Sequence, residues 1–400
     1  MSAGGDQGGW RSMVRADDAE LADAAHSWKS AYVHIPFCAH RCPYCDFAIV
    51  DESAEADVDH RRYVDAVVRE IEMEESRYPL DAVNFGGGTP SLLSSEQLGE
   101  IVGALSRRFG FREYTEVSLE VNPEDWNTDT AENLRSVGFT RVSIGAQSFD
   151  EQILGVLGRH HSAGTTAEAV RSARAAGFRT ISLDLIYGHP AETAASWVKS
   201  VDRVLDLPID HISTYALTVE RGTALSREIL AGATPPDGDV QAERYETFCE
   251  FSSIAGFDRY EVSNHARPGH ACVYNLSTWA HGEYLGFGLG AHDHRWGVRS
   301  RNHHRLDRYL EDVEAGTRPR LGTEHLDIDC QDRDRFMLGL RLAAGAPVSG
   351  FATTFLESPE GARLLDIGLI VVDGSRVVVT QPMLTDAVAR EALSVSSHDC

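Results

Sequence analysis

The sequence predicts an α/β protein: a partial (βα)6 barrel of TIM type, followed by a small C-terminal domain of winged-helix-like character. Three observations carry the prediction. Six short β-rich runs alternate with helical patterns over residues 31–220, and such alternation marks a parallel sheet covered by helices. The runs end in polar or glycine-rich residues, and in barrels the chemistry gathers at the C-terminal ends of the strands. From about residue 321 the texture changes to a helix, a hairpin and a closing helix. An open doubly wound sheet would produce the same alternation.

The elements follow in order. Residues 1–30, beginning "MSAGGDQGGW", are polar, lack the apolar stretch of a signal peptide, and are expected to form an unstructured leader. The barrel is expected over 31–256. Its strands are read in "AYVHIP" (31–36), "AVNFGGG" (82–88), "EVSLEVNP" (116–123), "RVSIGAQS" (141–148), "TISLDLIYG" (180–188) and "HISTYALTVE" (211–220). Helices at 59–77, 94–109, 164–176 and 192–206 fill the gaps. Residues 257–320 form an extension carrying "YNLSTW". Over 321–400, "DRDRFMLGLRLAAGAPV" reads as a helix, "LIVVDGSRVVVT" as a hairpin turning at Asp373-Gly374, and 382–393 as a last helix.

Composition excludes several functions. No apolar run approaches the roughly 20 residues of a membrane-spanning helix, so no transmembrane segment is expected. Without a signal peptide the reducing cytoplasm is the expected compartment, and a disulfide framework is not expected. A net charge of −24 opposes a nucleic-acid partner, which calls for basic surface. Small anionic ligands in a local pocket stay compatible with it.

The chemistry starts at "YVHIPFCAHRCPYCDF", where Cys38, Cys42 and Cys45 stand in the spacing C-x3-C-x2-C directly after the first strand. Thiolates are soft ligands that suit zinc or iron–sulfur sites. Zinc needs a closed tetrahedral set, and the nearest fourth ligand is His40. A four-iron cluster on three thiolates instead leaves one iron open. That iron can chelate the amino and carboxylate groups of S-adenosylmethionine and pass an electron to its sulfonium, a cleavage to the 5′-deoxyadenosyl radical that is the cofactor's own chemistry. The spacing within a barrel pattern favours iron–sulfur.

Further along, "GGGTP" at 86–90 closes the second strand, and its glycines let backbone approach a ligand. Glu120, Gln147 and Asp184 end later strands, and Arg159 follows in "LGRHHS". A carboxylate accepts hydrogen bonds from ribose hydroxyls or an ammonium, and an arginine holds a carboxylate. Singly, each is commonly structural; at successive strand ends they favour a site.

With "YVHIPFC", "YCDF", "FGGGTPSLL", "EVNPE", "SIGAQSF", "LGRHHSA" and "DLIYGHP" in this order, the chain resembles the radical S-adenosylmethionine superfamily. Within it, the resemblance is to the group of oxygen-independent coproporphyrinogen oxidase and HemW, from Tyr32 to at least Gly290 and again in the C-terminal domain. It implies a 4Fe-4S cluster on Cys38, Cys42 and Cys45. It also implies S-adenosylmethionine contacts at Gly87, Gly88, Thr89, Glu120, Gln147, Arg159 and Asp184, with Tyr32, Tyr44 and Ala216 beside them.

Two details separate the branches. The oxidase branch adds a cysteine two positions after the third, where this chain has Phe47, and it has a longer arm ahead of its barrel than the residues before Tyr32. Both point to the heme-chaperone branch. That implies heme and heme-acceptor proteins as partners, and an electron donor wherever S-adenosylmethionine is cleaved; a homodimer is compatible with it. The branch carries H-N-x-x-Y-W, implicated in heme binding. Here "YNLSTW" puts Tyr274 in place of the histidine and Thr278 in place of the tyrosine, with Asn275 and Trp279 kept. Tyrosine can ligate heme iron, so Tyr274, Asn275 and Trp279 are expected in a heme site. His265, His270, His281 and Cys272 are alternative ligands. The rival reading is a radical enzyme acting on a porphyrinogen.

Overall fold

Runs such as "AVNF" and "ISLDLIY" are buried on both faces, as parallel strands covered by helices must be. The computed structural model describes residues 18–54, 58–75 and 78–395. Six parallel strands lie side by side in chain order: β1 (Lys29–Ile35), β2 (Leu80–Gly87), β3 (Phe111–Val121), β4 (Arg141–Gln147), β5 (Thr180–Tyr187) and β6 (His211–Ala216). A doubly wound sheet reverses its strand order at a switch point. This sheet does not, so the alternation belongs to a barrel.

Residues 257–325 supply both edges of that sheet. Next to β6 come the short antiparallel strands β8 (Asn264–Ala266) and β7 (Asp258–Arg259). On the other side β9 (Glu283–Phe287) pairs parallel with β1. Antiparallel β10 (His292–Arg295), β11 (Val298–Asn302) and β12 (Arg320–His325) follow outward. The sheet runs from β12 to β7 without closing on itself, which leaves the barrel partial.

Local sequence explains the helices. Asp59 caps helix α2 (His60–Met73) by accepting from the Arg62 amide, and Tyr63, Val64, Val67 and Ile71 repeat along its buried side. Ser94 and Gln97 form a capping box at α3 (Ser95–Phe109), which Gly110 ends at φ 81°. These helices pack against Val33, Phe85, Leu119, Ile144 and Leu183 of the strands in one continuous core. Within it, the buried Glu70 of α2 accepts from the Gly288 amide (2.8 Å), Tyr309 Oη (2.8 Å) and Asn302 Nδ2 (2.6 Å). One carboxyl thus ties α2 to the β9–β10 turn and to β11, and burial pushes it up to about 7.

Two sequence expectations change. The leader expected over 1–30 lies partly at residues 1–17, outside the described residues. Its remainder is ordered: Asp18–Ala25 forms helix α1, and β1 starts at Lys29. Ala22, Ala25 and Trp28 pack with Val273 and Leu276 of helix α6 (Val273–Trp279), so burial overrides a polar composition. The run 211–220 is strand only to Ala216, where the pairing with Tyr187 ends and the Leu217 amide makes the last ladder bond, to the Tyr187 carbonyl at 2.9 Å.

The C-terminal domain has its own core, Phe336, Phe355, Leu364, Ile370, Val377 and Val388. Its helices surround a three-stranded sheet in which Ile370–Asp373 and Arg376–Val379 form the hairpin. Arg376 reaches Asp23 of α1 at 2.8 Å. Among the described residues no helix is long and apolar enough to cross a membrane.

Candidate functional site

The thiols sit in a loop that leaves β1 at Pro36. The loop is closed where Phe37–Cys38 pairs with Val50–Asp51. The Arg41 guanidinium lies across it, donating to the carbonyls of Cys45, Phe47 and Ile49 at 3.3 Å each, so one side chain holds the loop's curvature. Cys38, Cys42 and Cys45 all line a cavity of about 840 Å³. Burial pushes the Cys38 thiol up to about 11 and raises that of Cys45; a metal must displace these protons to gain thiolates. Among the described residues no three His, Cys, Asp or Glu side chains converge as on a single ion. The thiolates of a cubane each hold a different iron and stand wider apart.

A hydrogen-bonded chain joins two of the thiols across the cavity. Thr89 Oγ1 donates to Cys38 Sγ (3.6 Å) and accepts from Asn122 Nδ2 (3.0 Å). Asn122 Oδ1 accepts from Arg159, whose other terminal nitrogen reaches Cys42 Sγ at 3.7 Å. Arg159 Nε is buried with no partner of its own. An orphaned guanidinium nitrogen beside the cluster loop is a place for a ligand carboxylate.

Opposite it stand two acids. Glu120, at the end of β3, accepts weakly from Asn84 Nδ2 and the Gly87 amide, both at 3.4 Å. Burial, and then the charge of Asp184, push Glu120 up to about 7. Asp184 accepts from Ser143 Oγ at 2.8 Å, and burial raises it too. A buried carboxyl raised by a second acid leaves room for a cation. The glycines make the approach possible: a Cβ on Gly86 would fall 2.5 Å from Glu120, and Gly87, at φ 107°, would meet His34 at 2.3 Å.

The remaining predicted residues divide. Tyr44, Gly87, Gly88, Gln147 and Ala216 line this cavity together with the residues above. Gln147 reaches it from a register shift between β4 and β5, at φ 59°. Tyr32 and Tyr274 line a second cavity of about 490 Å³, which shares Gly87, Glu120 and Phe47 with the first. Their rings stack at 6.1 Å, and Tyr284 meets Tyr274 edge-on at 6.3 Å. The Val273 amide donates to Glu116 at 2.9 Å, and Glu116 pairs with Arg141, which pins the start of α6.

Asn275 and Trp279 reach neither cavity. Asn275 bonds Tyr260 Oη at 3.5 Å, and Trp279 lies under the Arg341 guanidinium at 4.5 Å, because their positions on α6 turn away from Tyr274. The alternative ligands are engaged elsewhere as well. His265 packs on Phe248, His270 bonds Thr180, His281 packs on His294 with the rings tilted, and burial pushes Cys272 up to about 12.

Sequence reasoning missed Asn122, which lies inside the quoted "EVNPE". It also missed Tyr215, Arg341, Pro382, Met383 and Asp386 of the larger cavity, and His292, Arg301 and His304 of the smaller.

An open barrel with three thiols after its first strand and paired carboxyls over a glycine ridge defines a radical S-adenosylmethionine protein. The profile of the Radical SAM superfamily matches residues 32–204. In overall shape the chain is similar to coproporphyrinogen III oxidase (HemN) from Escherichia coli, with a TM-score of 0.79 at 23% identity over 94% of this chain and 93% of that one. Heme chaperone HemW from Mycobacterium tuberculosis is 39% identical over 90% of this chain and 94% of its own. HemW from Bacillus subtilis is 33% identical over 88% and 95%. The chain belongs to the HemW heme chaperone family.

Proposed function

We propose that this protein is a heme chaperone, binding heme and delivering it to acceptor proteins from a barrel that holds a 4Fe-4S cluster and S-adenosylmethionine. The observation that carries the reading is the pair of adjoining cavities with Phe47 at their shared wall. In the oxidase branch that position is a further cysteine; here it is an apolar ring, 58% exposed. Cys38, Cys42 and Cys45 hold the cluster. When bound, such a cluster would supply one electron to the sulfonium of S-adenosylmethionine.

The chain's own residues bind and orient. Arg159 takes the ligand carboxylate, and Thr89 and Asn122 hold that arginine in place. Glu120 and Asp184 face the cationic part and the ribose hydroxyls. Gly87 and Gly88 let the amino-acid end lie against backbone, while Gln147, Tyr44 and Ala216 complete the wall. Tyr32 and Tyr274 belong to the heme side. The protein acts in the cytoplasm, uses an external electron donor if S-adenosylmethionine is cleaved, and is compatible with a homodimer.

The test is anaerobic reconstitution followed by heme titration, with coproporphyrinogen III assayed in parallel. Heme binding without formation of protoporphyrinogen IX is expected. Robust turnover of coproporphyrinogen III overturns the chaperone reading in favour of the enzyme.

A further inference from the structure

Resting on that reading, we propose that heme lies in the smaller cavity, its iron bonded by His292 and one propionate paired with Arg301. His292 on β10 and Arg301 on β11 are direct register partners of an antiparallel pair, so their side chains leave the same face of the hairpin. Both line the cavity, across which Tyr32, Tyr274 and Tyr284 form an aromatic wall. Its 490 Å³ lies within the roughly 300–1,000 Å³ of ligand pockets.

Charge orients the occupant. Among the described residues that line this cavity, Glu120 is the one carboxylate, at the wall shared with the larger cavity, and Arg301 is the one arginine. The neighbouring arginines of this sheet edge are paired: Arg295 with Glu74, Arg299 with Asp334 and Arg320 with Asp293. Arg301 has no carboxylate partner among the described residues. An anionic edge of a tetrapyrrole therefore points to Arg301, with its apolar face on the tyrosines.

His292 lines the cavity from the hairpin and offers an imidazole nitrogen, a common metal donor, to iron. Tyr274, where the family histidine stands, is different. Burial raises its phenol, and its ring is committed to the stack on Tyr32. It serves as wall, and the imidazole comes from the facing hairpin.

The full-length protein is titrated with ferric heme, followed by absorption and electron paramagnetic resonance. An imidazole signature is expected that survives Tyr274→Phe, disappears in His292→Gly and returns when imidazole is added to His292→Gly. Arg301→Gln should weaken heme about fivefold, as for a partly exposed charge pair, without moving the spectrum. His325→Ala, on the neighbouring strand, serves as the surface control. Unchanged melting temperatures and iron content confirm folded variants. A wild-type spectrum and affinity in His292→Gly, or a ligand change in Tyr274→Phe, overturns this assignment while leaving the chaperone reading intact. Failure of the unsubstituted protein to bind heme overturns both.

Discussion

The two adjoining cavities are built on opposite plans. The larger carries one hydrogen-bonded chain on its wall, through Cys38, Thr89, Asn122, Arg159 and Cys42, and the two acids Glu120 and Asp184 beside it. The smaller sets three tyrosine rings against a hairpin where Arg301, among the described residues, is left without a carboxylate. The difference teaches what each can hold. A preorganised polar wall positions a small, charged, chelating ligand. An aromatic wall with one cation at its rim suits a broad apolar ring with acidic edges.

The sharpest way to separate the cavities is to empty one. Cys38→Ala, Cys42→Ala or Cys45→Ala should reduce bound iron and acid-labile sulfide to background, while heme titration is unchanged. Loss of heme binding in the same variants would merge the two sites.

Next in size, Glu120→Ala or Asp184→Ala should weaken S-adenosylmethionine by about 1–3 kcal/mol, roughly 5- to 150-fold by calorimetry. Asn122→Ala breaks the chain that aims Arg159 and should cost about 1.4 kcal/mol, roughly tenfold. Unchanged affinity there would make the chain a packing detail.

Acidity gives a finer probe. Glu120 titrates near 7 against an ordinary 4.5, and its ionised form attracts a sulfonium. Affinity for S-adenosylmethionine should rise as pH passes upward through about 7, and Glu120→Gln should flatten that rise. Linkage has the opposite sign for the ligand-free fold. A raised carboxyl stabilises it fully below 4.5, and that contribution is lost as pH climbs through 7. The smallest effect is expected of Asn275→Ala. It should leave the heme spectrum unaltered, since that side chain faces Tyr260.

How much was legible follows the same division. Strand ends announce themselves locally, so the cysteine loop, the glycine ridge and the acids could be read one run at a time. Asn122 could not, because asparagine before proline is ordinarily a turn residue; its role depends on a contact with Arg159, 37 positions away. His292 and Arg301 become neighbours only through hairpin register. Pro382 and Met383 reach the cavity through the docking of a separate core, as when Tyr187 Oη meets Met383 Sδ at 3.4 Å. Asn275 and Trp279 matched a pattern by position in the chain, and the helix then turned them elsewhere. The ordered part of the leader escaped because alanines buried against α6 carry little signal in composition.

That docking has a consequence for timing during synthesis. The wall of the larger cavity begins at Cys38 and includes Asp386. Domains fold from the N-terminus as they leave the ribosome, so the six strands can assemble while the far wall is still untranslated. Until residue 386 has emerged, the cavity that the thiol loop lines lacks that wall. The C-terminal domain is then the last wall to arrive, and a cluster donor acting on the nascent chain would meet a wider entrance than one acting on the finished protein.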